Sequence, residues 1–327
     1  MKKLIFIVFT LIVSAGLLSA CSQALVKSEI TDKGSSPASD SAQSKAMEIS
    51  PFPRTIIDAG GNEVTIDKEP NRIAILHTNY LEYFFALGTA PVASAGASVG
   101  TAQQALETYE TLLPYKGKAQ VMDLGSAREI NVEAVLEAQP DVIITFAGHG
   151  GLDEIYDQLT QIAPVILLDF NETWQNQTRA CAAIVGKEDV AEQIIKDTEA
   201  AISSAHKVIS AQDKTIALFR TNGGTAFMGR GNKRYYDTFG ITAPTGYTFD
   251  YAAYSLEAMA EMNPDYIIFQ DYIKMSEGFT ATQEASSVWN NLNAVKNENV
   301  IYFDDSLNTF GPLAMRLTAE KLEQIFK

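Results

Sequence analysis

Residues 131–146 read NVEAVLEAQPDVIITF and residues 255–270 read SLEAMAEMNPDYIIFQ, so one chain carries the same short pattern twice. Glu133 answers to Glu257 and Pro140 to Pro264, an offset of 124 residues. That spacing is far longer than a solenoid repeat and implies two similar lobes. Within the first copy Val132, Val135 and Leu136 fall at i, i+3 and i+4, one face of a helix. VIITF, after Pro140-Asp141, has the continuous apolar character of a strand buried in a parallel sheet.

The same alternation of strand and helix runs outward from both copies. IIDAGGNEVTI (56–66) reads as a hairpin, RIAIL (72–76) as a strand, HTNYLEYFFALG as a helix closed by Gly88, and APVASAG as the next strand. GLDEIYDQLTQIA and PVILLD add a helix and a strand. In the second half TIALF, NKRYYDTFG, SLEAMAEM, DYIIFQ, SVWNNLNAV and VIYFD repeat the plan, and GPLAMRLTAEKLEQIF closes the chain as an amphipathic helix. Between the halves, the run from Lys187 to Ile209 lacks a strong breaker, which predicts one helix about 30 Å long acting as a stiff strut. The predicted class is α/β, two similar lobes with mainly parallel sheets joined by a single long helix. The predicted division is 1–20 signal peptide, 21–50 flexible stalk, 51–180 first lobe, 181–210 connecting helix and 211–327 second lobe.

Met1-Lys2-Lys3 followed by an apolar run to Leu18 is signal-peptide anatomy, too short and wrongly flanked for a spanning helix. It ends in Leu18-Ser19-Ala20-Cys21, which resembles the bacterial lipobox, where the cysteine is lipidated and becomes the first mature residue. A diacylglycerol thioether with an N-terminal acyl group such as palmitate supplies the chains that stable anchoring needs. The Ser-, Ala- and Asp-rich stretch after Cys21 has too little apolar surface to fold and reads as a stalk. The chain is thus expected to be lipid-anchored on the extracytoplasmic face of a cell membrane, as in a Gram-positive bacterium. Only Cys181 remains, so no intramolecular disulfide is expected, and its Ala-Cys-Ala-Ala setting suits a small buried residue. Removing the two lysines of the signal leaves 23 basic against 40 acidic side chains, a balance of −17, which argues against a nucleic-acid partner.

Four motifs lie in order along the chain: Pro70-Asn-Arg-Ile-Ala-Ile, Phe85-Ala-Leu-Gly88, Asn131-Val-Glu-Ala with Pro140-Asp141, and Gly229-Arg-Gly-Asn-Lys-Arg. Behind a lipobox, their order and spacing resemble the substrate-binding proteins that feed ABC importers for iron siderophores, haem and cobalamin. The resemblance covers nearly all of the chain from Thr55 onward. It implies a monomeric receptor, without a cofactor of its own, that captures a metal chelate between its lobes and docks on a permease dimer in the membrane. It also implies that Glu133 and Glu257 meet arginines on the two permease subunits. Either glutamate alone is equally well read as favouring its helix dipole, but a matched pair engages two identical pockets at once.

In open α/β sheets, ligands sit beyond the carboxyl ends of the strands. Those positions hold His77 and Tyr80 after RIAIL, His149 after VIITF, Arg220 and Asn222 after TIALF, and Tyr272 after DYIIF. Arg128 and Tyr251 or Tyr254 lie on loops before the two Glu-Ala helices. From Arg220 to Arg234 the chain carries Arg220, Arg230, Lys233 and Arg234 and no acidic residue. Guanidinium groups bind carboxylate and catecholate oxygens through paired hydrogen bonds, so the expected ligand is an anionic ferric chelate, a siderophore or ferric citrate, with no direct metal ligand from the protein. Lys233 and Arg234 are assigned to a solvated helix face, and Arg220 and Arg230 to the ligand. Haem or cobalamin is the alternative, with His77, His149 or Tyr272 as an axial ligand to haem. Bare zinc or manganese is less well served by three histidines, one of them on the strut. The chain has no Cys-x-x-Cys, no Walker-type loop and no His-Glu-x-x-His, and a non-enzymatic role is expected.

Overall fold

The computed structural model describes residues 52–96 and 100–327; the signal 1–20, Cys21 and the stalk 21–50 lie outside the described residues. A hairpin of β1 (Arg54–Ile57) and β2 (Glu63–Ile66) precedes the first lobe. The first sheet contains β3 (Ile73–Ile75), β4 (Ala93–Gly96), β5 (Met122–Ser126), β6 (Glu129–Ile130), β7 (Val142–Phe146) and β8 (Val165–Leu168). Its spatial order is β6-β5-β4-β3-β7-β8, parallel except for β6. The second sheet contains β9 (Ile216–Arg220), β10 (Phe227–Gly229), β11 (Ala253–Tyr254), β12 (Tyr266–Gln270) and β13 (Val300–Phe303). Its order is β11-β10-β9-β12-β13, with β9, β12 and β13 parallel and β10 and β11 antiparallel. Successive residues of the first-lobe strands alternate between two cores. Ile73, Ile75, Val142 and Ile144 face one side; Ala74, Ile143, Val165 and Leu167 face the other.

The repeated pattern occupies the same place in both sheets. β7 lies beside β3 and β12 beside β9, each following a short helix, Val132–Glu137 or Leu256–Met262. Asn131 and Ser255 cap those helices by accepting the amides of Ala134 and Ala258. The Asp of each Pro-Asp then reaches the neighbouring strand. Asp141 Oδ2 accepts the backbone N–H groups of Asn71 (2.9 Å) and Arg72 (3.2 Å), just before β3. Asp265 Oδ2 accepts the N–H (2.9 Å) and hydroxyl (3.1 Å) of Thr215, just before β9. Burial alone would raise the Asp265 carboxyl, but the Thr215 donors and the Lys214 ammonium hold it below the usual carboxylate range.

The segment expected as one helix over 181–210 divides. Residues 181–185 end a separate helix, Trp174–Val185, stopped by Gly186 in the left-handed conformation (φ +69°). The connecting helix is Glu188–Ser210, and the C-terminal helix Pro312–Phe326 packs along it, with Ser204 Oγ donating to Glu323 Oε1 at 2.7 Å. The strut is therefore a helix pair. SVWNNLNAV also divides, into Ser287–Asn291 and Asn293–Lys296.

Asp141→Ala removes an acceptor of two hydrogen bonds and Asp265→Ala an acceptor of three, and each is expected to lower the unfolding free energy by roughly 2 kcal/mol. Urea titration reads this as a fall in midpoint at constant slope; midpoints within error of the parent for both variants would contradict the assignment.

Candidate ligand cleft between the lobes

The strand ends of both sheets open onto one cleft of about 880 Å³, within the roughly 300–1,000 Å³ of small-ligand sites. The first lobe contributes His77 beyond β3, Arg128 between β5 and β6, and Phe146 and His149 at the end of β7. The second contributes Arg220 at the end of β9 and residues 305, 306, 308 and 309 beyond β13.

The first-lobe side is aromatic. His149 stacks on Phe146 with ring centres 4.7 Å apart, His77 meets Phe146 edge-on at 5.5 Å, and the part-exposed Phe170 lies 5.0 Å from Phe146. His149 is fully engaged: Nε2 is 2.5 Å from the Ala127 carbonyl, which can only accept, and Nδ1 is 2.6 Å from the Thr145 hydroxyl. His77 Nδ1 accepts the Asn79 N–H at 3.3 Å, capping the turn Thr78–Tyr80. Burial, then His149, lower the His77 pKa, so its ring is neutral at pH 7.

The second-lobe side is charged but balanced. Arg220 Nη2 lies 2.9 Å from Asp305 Oδ1 and 3.4 Å from Asp271 Oδ1. Asp271 is fixed by the N–H (2.9 Å) and hydroxyl (2.8 Å) of Thr221 and by the Tyr272 N–H (2.9 Å). Burial would raise its carboxyl, yet these donors and Arg220 hold it low. Asp305 goes the other way, pushed up by burial and by Asp271 against the pull of Arg220.

Tyr109 bridges the lobes. Its hydroxyl is 3.2 Å from that of Tyr272 and donates to Asp305 Oδ2 at 3.2 Å. Burial, then Asp305, push its phenol up, so it stays a donor. Beside it the Glu110 N–H donates to Asp304 Oδ1 (3.2 Å) and the Thr111 N–H to Ser306 Oγ (3.4 Å). The segment 109–111 of the first lobe thus meets 304–306 of the second.

Of the expected ligand residues, His77, Arg128, His149 and Arg220 line the cleft. Tyr272 lines a small pocket that shares Thr78 and Tyr109 with the cleft. The other four lie elsewhere. Tyr80 is wholly buried in the first-lobe core, drawn in by the apolar face of its helix. Asn222 is exposed in a tight turn (φ +48°), its amide on Thr225 Oγ1. Tyr254 stacks on Tyr247 (5.7 Å), and its hydroxyl accepts the Thr248 N–H (2.7 Å). Arg230 is 3% exposed, its guanidinium 4.9 Å over Tyr235 and 5.3 Å over Phe310, and it donates to the Asn308 carbonyl at 2.8 Å. The basic run 220–234 therefore forms no electropositive wall. Lys233 pairs with Asp237 (2.8 Å), Arg220 with two acids from elsewhere in the chain, and Arg234 lies over Phe310 (5.2 Å). Arg128 is exposed and, among the described residues, has no ion-pair partner.

Sequence reasoning missed Tyr109 and the 304–309 segment. The latter follows strand VIYFD directly, and the strand-exit rule applied to β13 would have found it. Glu133 and Glu257 are exposed, each the second residue of its helix, and Glu257 is held below the usual range by the Ser255 hydroxyl. Among the described residues, no helix is long and apolar enough to cross a membrane. Gly96-Ala-Ser-Val-Gly100 has the Gly-x-Ser-x-Gly spacing of a hydrolase elbow, but Ser98 lies outside the described residues.

Two α/β lobes, a helical strut and a cleft at the strand exits define a solute-binding protein. The chain belongs to the periplasmic binding protein family, whose profile matches residues 73–307. It is similar to the iron(3+)-hydroxamate-binding protein YxeB of Bacillus subtilis, 30% identical over 96% of this chain and 94% of that one. It is also similar to the probable siderophore-binding lipoprotein YfiY of the same organism, 28% identical over 93% and 92%. Among solved structures it resembles the siderophore binding protein BauB, bound to two molecules of acinetobactin and ferric iron. The TM-score is 0.66 and the identity 22%, covering 84% of this chain and 99% of that one, a likeness of fold. These relatives are named as binding proteins, not enzymes.

His149→Ala is expected to cost about 2 kcal/mol of stability, because the Thr145 hydroxyl and the Ala127 carbonyl lose their partner in a buried site. An unfolding midpoint equal to the parent's would show that those contacts are not made.

Proposed function

We propose that this protein is the extracytoplasmic binding lipoprotein of an ABC importer, exported by residues 1–20, anchored through Cys21, and acting as a monomer that captures a ferric siderophore of the hydroxamate class. The carrying observation is the balanced charge of the cleft. Arg220, expected to meet an anionic ligand, is already shared between Asp305 and Asp271, which leaves Arg128 as the cleft's uncompensated cation. A trianionic tris-catecholate or ferric citrate would find one unpaired guanidinium, Arg128, and would pay desolvation for the rest of its charge beside Asp305. An uncharged ferric tris-hydroxamate would not. It offers oxygen acceptors to Arg128 and to the cleft hydroxyls, and apolar arms to the wall of Phe146 and His77. The hydroxamate specificity printed for a relative at 30% identity agrees with this reading. Two of the three expected haem ligands are engaged, His149 through both ring nitrogens and the Tyr272 hydroxyl by Tyr109, which leaves the cleft-lining His77, engaged through Nδ1, as the axial position that a haemin titration tests.

Delivery rests on the repeat. Glu133 and Glu257 project from corresponding helix starts of the two lobes, and two equivalent carboxylates can engage two equivalent permease subunits, the second contact gaining by effective concentration.

Titration of intrinsic tryptophan fluorescence against ferrioxamine B, ferrichrome, ferric enterobactin, ferric citrate and haemin tests the ligand. The hydroxamates should bind at least about 100-fold more tightly than the anionic chelates, a difference of roughly 2.7 kcal/mol. Equal or tighter binding of citrate or enterobactin would reject the charge argument, and a Soret shift with haemin at comparable affinity would reject the class. The double variant Glu133→Ala, Glu257→Ala should lose chelate uptake by cells while the dissociation constant stays within about twofold; an equal fall in affinity would remove both glutamates from the docking face.

A further inference from the structure

Beside the cleft, on the first lobe, lies a side pocket of about 170 Å³. It shares Arg128, His149 and Gly150 with the cleft, so the two cavities are continuous. Its volume falls below the roughly 300–1,000 Å³ of sites that hold a whole small ligand, and suits an arm of one. Ile130, Leu152 and Ile155 supply apolar lining, and two carboxylates join them. Glu129 begins the edge strand β6, and Glu154 lies in the first turn of the helix Leu152–Ile162. Both are exposed, and among the described residues neither has an ion-pair partner. Arg128 is the one arginine or lysine in the lining, against those two acids.

Gly150 stands where the cavities join. Its φ lies outside the left-handed region, and a Cβ built on it would meet nothing within 4 Å. The backbone there does not require glycine, and the missing side chain leaves the passage open.

We propose that this side pocket is a subsite for a cationic arm of the chelate, an alkylammonium group whose methylenes lie along Ile130, Leu152 and Ile155 and whose charge is received by Glu129 and Glu154. The inference rests on the hydroxamate reading and narrows it to ferric hydroxamates that carry a pendant primary amine. Such a ligand divides its chemistry between the two cavities. The uncharged iron core stays in the cleft, where Arg128 meets its oxygens, and the arm lays an apolar stem on apolar side chains with its charged end towards carboxylates and water.

Glu154 also favours the dipole of its helix, as any acid in a first turn does. Asp153 does so from the same turn, yet it does not line the pocket, which makes it the control. Ion pairs at exposed carboxylates are individually weak, so the two together should give a preference of about fivefold for the charged arm.

The test titrates the whole chain by tryptophan fluorescence with two probes. Ferrioxamine B carries a pendant ammonium; its N-acetyl derivative keeps the iron core and the chain but not the charge. The parent should bind ferrioxamine B about fivefold more tightly than the acetylated form. In the double variant Glu129→Gln, Glu154→Gln the ratio should fall to about one, and in Asp153→Asn it should stay at the parent's value. Gly150→Leu, which puts a side chain into the passage, should also bring the ratio near one. A parent that binds the two probes alike overturns the proposal, as does a preference that survives in the double variant or is equally lost in Asp153→Asn. Those results leave the hydroxamate reading standing. If the parent binds neither probe, that reading falls and the subsite falls with it.

Discussion

Two aspartates set the architecture. Asp141 and Asp265 each stand before a central strand and take hydrogen bonds from the residues that precede the neighbouring parallel strand. A charged acceptor on two donors is among the stronger polar contacts a chain can make, and here it ties strands some 70 and 50 residues apart in sequence. With β3 and β7 aligned, and β9 and β12 likewise, the strands end at matched heights. The residues just beyond those ends are therefore brought to one surface, and two such surfaces make the cleft.

The repeated pattern that first marks the chain divides into three parts. Most of its apolar positions fill the cores, Leu136 at 60% exposure being an exception, its aspartates accept from the neighbouring strands, and its glutamates at 133 and 257 are exposed at the surface. That division explains what was legible in the sequence. Strand and helix alternation, the two lobes and the strut follow from local periodicity, and the helix and strand positions are found within a few residues. The helix read from Lys187 to Ile209 is found as Glu188–Ser210, whereas the wider segment 181–210 is cut by Gly186, whose positive φ ends the preceding helix at Val185.

The cleft was legible only in half. His77, Arg128, His149 and Arg220 sit at strand exits and could be named from local pattern. What Arg220 does there could not, because its partners come from positions 271 and 305, which no local rule links to it. An acid-free stretch in sequence became a neutralised site in space. Tyr80 and Arg230 fail for the opposite reason: each is polar at its tip, yet the neighbouring aromatic residues draw the side chain inward. Tyr109 carries no motif, and the 304–309 segment carries only its place at the exit of β13; the role of both comes from the meeting of the lobes.

That meeting makes the wall 304–309 the part of the cleft with the most structural consequence. It presents Asp305 to Arg220, receives Tyr109, Glu110 and Thr111 from the first lobe, and ends at Glu82. Amide hydrogen exchange with and without ferrioxamine B tests the account most directly. The predicted result is slowed exchange in both 109–111 and 304–309 when the chelate binds; tight binding with protection confined to one lobe, or absent from 304–309, would contradict it.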